Sequence, residues 1–142
     1  MVRINLIDPA ALSDQHLIAE YDELLMLLGY VRRYPEKKDI PEFYTLGKGH
    51  MKFFKDKLHY LRDRHELLKK EMRTRGFRAS ITISLSEFPR ELHGSYVPTS
   101  EAIGIIKQRI TQKLLQKPSY YRYYGEYREL KFFLGLIEGI RF

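Results

Sequence analysis

The chain contains no cysteine. Disulfides and thiolate catalysis are thereby excluded, a zinc site would need His and carboxylate ligands alone, and a reducing compartment, the cytoplasm, is the expected location. No apolar run approaches the ~20 residues needed to span a bilayer, and Met1-Val2-Arg3 leads into no signal-peptide core, so no membrane partner is expected. Internal repeats, linker-like composition and low-complexity tracts are also missing. One compact domain is the economical organisation, with no cofactor or metal expected.

What is present is positive charge and aromatic surface. The 142 residues are enough to bury a core without covalent staples. Lys and Arg number 25 against 18 Asp and Glu, a net charge of +7, which attracts polyanions. The 11 Tyr and 8 Phe would suit stacking on bases, or would simply fill a core.

Periodicity predicts a mainly helical, all-α fold of about four helices joined by extended connectors. In the first helix Leu17, Ile18, Tyr21, Leu24, Leu25 and Leu28 recur at helical spacing, with Ser13 or Asp14 as the cap and Gly29 as the end. His16, Glu20 and Glu23 share the opposite face, a stripe turned to solvent or a ligand. A second helix is expected over residues 49–75, with Met51, Phe54, Leu58, Leu61, Leu68 and Met72 as its seam and Gly76 at its C-terminal cap. Its many Lys and Arg read mostly as a solvated face.

From Phe77 to Pro98 the alternation of Ile81, Ile83 and Leu85 with Thr82 and Ser84 fits a short strand or an extended connector. A lone strand has no partner, which favours the connector. The third helix starts at Thr99 or Ser100 and stops before Pro118, with Arg109, Lys113 and Lys117 along one edge. Five tyrosines follow within residues 120–127, interleaved with arginine; they either close the core or stack on unpaired bases. A last helical face contains Leu130, Phe133, Leu134 and Ile137, with Phe132 and Leu136 behind it, so this helix is buried or shared with a second subunit.

At the chain start, Val2 is small enough for Met1 to be trimmed. That would leave the Val2 amine as a primary nucleophile, with the Glu23 carboxylate on the helix that follows, the minimum kit for Schiff-base chemistry. An α-amino pKa of about 7.7–8.0 leaves roughly 10–20% free base at pH 7, against under about 0.1% for an ordinary lysine.

Arg3-Ile4-Asn5-Leu6, Asp14-Gln15-His16-Leu17, Ala19-Glu20-Tyr21, Glu23-Leu24, Leu46-Gly47, Gly49-His50, Phe53-Phe54, Asp56-Lys57-Leu58, Tyr96, Pro98, Arg109, Lys113, Pro118, Tyr121 and Tyr123-Tyr124-Gly125 occur in an order and spacing that resembles the phage pyrimidine-dimer DNA glycosylase family, the endonuclease V-like enzymes. The resemblance spans residues 3–125. It implies an all-α repair enzyme of residues 1–125 that cleaves the glycosidic bond at a lesion in double-stranded DNA and nicks the strand by β-elimination. Residues 126–142 would be a helical extension packed on that domain or used in a weak dimer.

By the same resemblance, the amine of Val2 attacks the anomeric carbon and Glu23 supports the reaction. Arg3, Gln15 and His16 meet DNA, while Arg109, Lys113, Lys117 and Tyr121 hold the kinked strand. Such enzymes bend the duplex and flip a nucleotide, at a cost of a few kcal/mol for unstacking. Where the family carries arginines beside the catalytic glutamate, this chain has Asp22 and Met26, which changes the clamp on the damaged strand. The other reading is a non-catalytic relative that binds DNA or RNA through its basic edge and tyrosine cluster.

Overall fold

The structure is a computed structural model that describes residues 2–139. It is helical: α1 (Asp14–Arg33), α2 (Gly49–Phe54), α3 (Leu58–Thr74), α4 (Ser100–Gln116) and α5 (Leu130–Ile137), with 3-10 turns at Pro9–Ala11 and Arg90–Leu92. The only strands among the described residues are β1 (Arg122–Tyr123) and β2 (Glu126–Tyr127), an antiparallel pair. No helix among the described residues is long and apolar enough to cross a membrane.

α1 begins where the Ser13 hydroxyl accepts the His16 N–H at 3.1 Å, satisfying one of the otherwise orphaned donors of the first turn. It packs along α3. Contrary to the sequence expectation it does not stop at Gly29 but runs to Arg33. Glycine costs a helix interior about 1 kcal/mol, and the complete burial of Val31 just beyond it offsets that cost.

The helix expected over residues 49–75 is two helices. A crossing segment supplies the break: the Gly94 N–H donates to the Asp56 C=O at 3.0 Å, and the Gly94 C=O accepts the N–H groups of His59 (3.1 Å) and Tyr60 (3.3 Å). Foreign backbone thus takes up bonds that a continuous helix would make internally. Only glycine fits there, because a Cβ at residue 94 would sit 2.2 Å from the Asp56 carbonyl oxygen. α3 then ends as its sequence suggests. Gly76, at φ +87°, lets its own N–H reach the Arg73 C=O and the Phe77 N–H reach the Met72 C=O, a Schellman closure.

Arg64 of α3 and Arg75, which caps it, depart from the solvated face expected of them. Arg64 is buried and makes a two-pronged contact with Glu20, at 2.7 and 2.9 Å. Arg75, also buried, bonds Asp14 at 2.9 Å and Glu71 at 2.8 Å. Buried charges persist only when paired, and these pairs tie α3 to α1. Residues 79–85 form an extended connector without strand partners, with Ala79, Ile83 and Leu85 buried. α4 has the Thr99 cap, whose hydroxyl accepts the Ala102 N–H.

The tyrosine-rich segment makes a hairpin that the sequence reading did not anticipate. Tyr124 (φ +55°) and Gly125 (φ +80°) both lie in the left-handed region, the pattern of a two-residue hairpin turn. Asp14 holds this turn by accepting the N–H groups of Tyr124 (3.0 Å) and Gly125 (2.7 Å). Arg75, stacked 4.5 Å from the Tyr123 ring centre, backs it. α5 packs against α4 and the Pro9–Ala11 turn, with Phe133 and Ile137 buried.

Candidate active site

The N-terminal segment is threaded into the core rather than left at the surface. Val2, Ile4, Leu6 and Ile7 are buried, and Ile4 is wholly inaccessible. Leu6 adopts φ +60° while the Ile7 N–H bonds back to the Asn5 C=O at 2.6 Å, a tight turn of γ type. Such a conformation costs a non-glycine residue about 1–3 kcal/mol. Burial of its neighbours over-determines it, beside the cleft described next.

Arg3, Asn5, His16, Ala19, Glu20, Glu23, Arg109 and Lys113 line a cleft of about 150 Å³ between this segment, α1 and α4. Larger open clefts lie at Tyr30, Tyr34, Lys52 and Lys55 (about 560 Å³) and at Arg128, Glu129, Lys131 and Phe132 (about 550 Å³). The smaller one is singled out by its chemistry. Arg3, Arg109 and Lys113 line it together with a partly desolvated carboxylate, Glu23, on which Arg3 and Arg109 act, beside the start of the chain.

Glu23 is half-buried, and its Oε1 accepts the backbone N–H of Arg3 at 2.9 Å. Three covalent bonds separate the Arg3 nitrogen from that of Val2, about 3–3.7 Å, which puts the Val2 nitrogen within about 7 Å of the carboxylate. Burial pushes the Glu23 carboxyl above the ordinary glutamate value, against the opposing pull of the Arg3 N–H, Arg109 and the Arg3 guanidinium. Burial, and next the charge of Arg109, lowers the Arg3 guanidinium. The Arg3 Nη1 also bonds the Val2 carbonyl at 2.6 Å.

His16 forms a wall. Burial, with Arg109 and Lys113 nearby, lowers its pKa to about 4, so the ring is neutral at pH 7. Tyr121 is buried behind it, ring centres 4.8 Å apart, and its hydroxyl points to the Lys113 carbonyl at 3.4 Å.

A model of the pyrimidine dimer DNA glycosylase family matches residues 1–84. The chain belongs to this family. The matched segment includes Val2, Arg3, Gln15, His16 and Glu23, whereas Arg109 and Lys113 lie beyond it and reach the same cleft from α4, and Tyr121, also beyond it, backs the His16 wall. The glycosylase is thus a DNA repair protein whose family substrate is DNA.

Not every expected site residue of the glycosylase gathers there. Lys117 lies just past α4, exposed, with its Nζ 4.7 Å from the Tyr120 ring centre. Gln15 spends its amide on the protein's own backbone: Nε2 donates to the Tyr120 C=O at 2.9 Å and Oε1 accepts the Arg122 N–H at 3.0 Å. Glu20 lines the cleft but is locked to Arg64. Asn5, a buried polar residue in the cleft wall, was not singled out from the sequence. Its signal was an amide inside the otherwise apolar run Ile4-Asn5-Leu6-Ile7. Among the described residues no group of three or more His, Asp or Glu could hold a metal ion.

Proposed function

We propose that this glycosylase is also an abasic-site lyase, acting on a damaged pyrimidine in duplex DNA through the amine of Val2 once Met1 has been removed. The unprotonated amine attacks C1′ of the lesion's sugar, and the base departs with the electrons of its glycosidic bond and gains a proton. Opening of the sugar ring leaves an imine between residue 2 and C1′. Loss of a C2′ proton then expels the 3′ phosphate by β-elimination, and water hydrolyses the imine to restore the amine.

Glu23 has two tasks in this scheme: its charge stabilises the positive character that develops at C1′, and it relays protons during imine formation and elimination. Arg3, Arg109 and Lys113 neutralise the phosphates flanking the lesion. His16, neutral, contributes shape and a polar edge rather than charge. The observation that supports the reading is the Arg3 N–H to Glu23 contact, one residue from the Val2 nitrogen, at a cleft lined by Arg3, Arg109 and Lys113.

Borohydride trapping on an abasic duplex is the test, since only an imine becomes a permanent protein–DNA adduct. The adduct should map to residue 2. Glu23→Gln should lower nicking by at least about 100-fold with duplex affinity largely kept. Unchanged nicking after Glu23→Gln or after acetylation of the α-amine would remove the mechanism and leave a DNA-binding relative.

A further inference from the structure

The segment before α1 pairs with no strand, so its backbone polar groups must find other partners inside the core. Ile4 finds two. Its N–H donates to His50 Nε2 at 2.9 Å, and its C=O accepts the Tyr44 hydroxyl at 3.0 Å. His50 and Tyr44 are themselves fixed. His50 Nδ1 lies 2.9 Å from the Thr45 C=O, which requires a proton on Nδ1 and leaves the Nε2 lone pair for Ile4. The Tyr44 and His50 rings meet edge to face at 5.3 Å, and each also packs against Phe54. Both residues are buried.

Two residues upstream of this grip lies the Val2 nitrogen, and between them the Arg3 N–H is held by Glu23. Chain ends fray unless tied down, and attack at a sugar carbon demands a near-attack geometry that an error of about 1 Å can ruin. Burial lowers the His50 pKa to about 4, so its acceptor nitrogen persists at neutral pH, and raises that of Tyr44, which keeps its proton.

We infer that Tyr44 and His50 are positioning residues, a clamp on both polar groups of Ile4 that holds the residue 2 amine against Glu23. This rests on the reading of residue 2 as the nucleophile. Neither side chain lines the cleft with Glu23, so the clamp acts through the backbone and predicts an effect on the covalent step, not on DNA affinity.

Paired variants separate positioning from bulk packing. His50→Gln puts an oxygen acceptor near the Nε2 position and keeps the bond from Ile4, whereas His50→Asn mimics Nδ1, serves Thr45 and leaves the Ile4 N–H unsatisfied. Tyr44→Phe removes only the hydroxyl. The measurements are the single-turnover rate of borohydride-trapped adduct on an abasic duplex and the Kd for a duplex carrying the non-cleavable tetrahydrofuran analogue. His50→Asn and Tyr44→Phe should trap about tenfold slower or worse, with Kd within about twofold and His50→Gln within about threefold of native. If His50→Asn fails to fold, Tyr44→Phe decides.

Trapping at the native rate in Tyr44→Phe, equal losses in His50→Gln and His50→Asn, or a loss confined to Kd would each overturn the clamp while leaving the nucleophile intact. An absence of any adduct at residue 2 in the native protein would instead remove the nucleophile, and the clamp with it.

Discussion

Glu23 is an acid kept where ionisation is disfavoured, and that has a thermodynamic signature. Its folded pKa lies above the unfolded one, so its contribution to stability is full below the unfolded value and is lost as pH rises through the folded value. Glu23→Gln, which preserves an acceptor for the Arg3 N–H, should therefore raise Tm at pH 7 while, on the proposed mechanism, it lowers nicking by at least about 100-fold, a trade of stability for activity. Parallel melting and nicking assays check this; a lower Tm would mean that the surrounding cations outweigh desolvation. The cleft histidine behaves oppositely. His16 and His50 both titrate near 4 when folded against 6.5 in the unfolded chain, so each stabilises fully above pH 6.5 and loses that stability as pH falls towards 4. Each difference corresponds to of order 3 kcal/mol. Melting curves from pH 7 to pH 4.5 should fall steeply, and His50→Gln should flatten the fall; an unchanged pH slope in that variant would exclude the assignment for His50.

At the scale of elements, two joints decide whether the cleft walls meet. One is the passage of Gly94 between α2 and α3. Gly94→Ala must push its Cβ away from the Asp56 carbonyl, at a cost of about 2–3 kcal/mol, and chemical denaturation would measure it; a loss under about 0.5 kcal/mol would show that the two segments part easily. The other joint is Asp14, which binds Arg75 and the hairpin turn together. These joints also explain what the sequence disclosed. The ends of α4 were legible because Thr99 and Pro118 act locally, and the Gly76 closure of α3 was legible for the same reason. The break between α2 and α3 was not, since its cause is backbone from Gly94. Arg64 and Arg75 read as solvated because the α1 carboxylates that bury them, Glu20 and Asp14, lie 44 and 61 residues away, and the nearby Glu71 alone marks an ordinary surface pair. Arg3, His16, Glu23, Arg109 and Lys113 became candidates through the family resemblance rather than through local pattern alone, and the structure brings them to one cleft. The inward use of Gln15 and the displacement of Lys117 depend on how the hairpin folds back, which no local pattern encodes.

Across the whole molecule, the net charge of +7 makes association with DNA an exchange of bound counterions for protein cations. Arg109→Ala and Lys113→Ala should weaken binding and each reduce the slope of log K against log salt by about 1. Titrations at several salt concentrations test this, and unaltered slopes would show that DNA lies on another face. Asp22 and Met26, both exposed on α1 within three residues of Glu23, bring no cation to this rim, which makes it the place to test for lesion preference.

The wrapping of the hairpin onto the start of α1 has a bearing on biosynthesis. The carboxylate at residue 23 leaves the ribosome early, but the tyrosine behind His16 is 98 residues further on, a delay of about 5–20 s at ordinary elongation rates. Until that late segment emerges, His16 lacks the ring that backs it and the cleft beside Glu23 is unfinished. Assembly of the cleft is therefore a late event of synthesis.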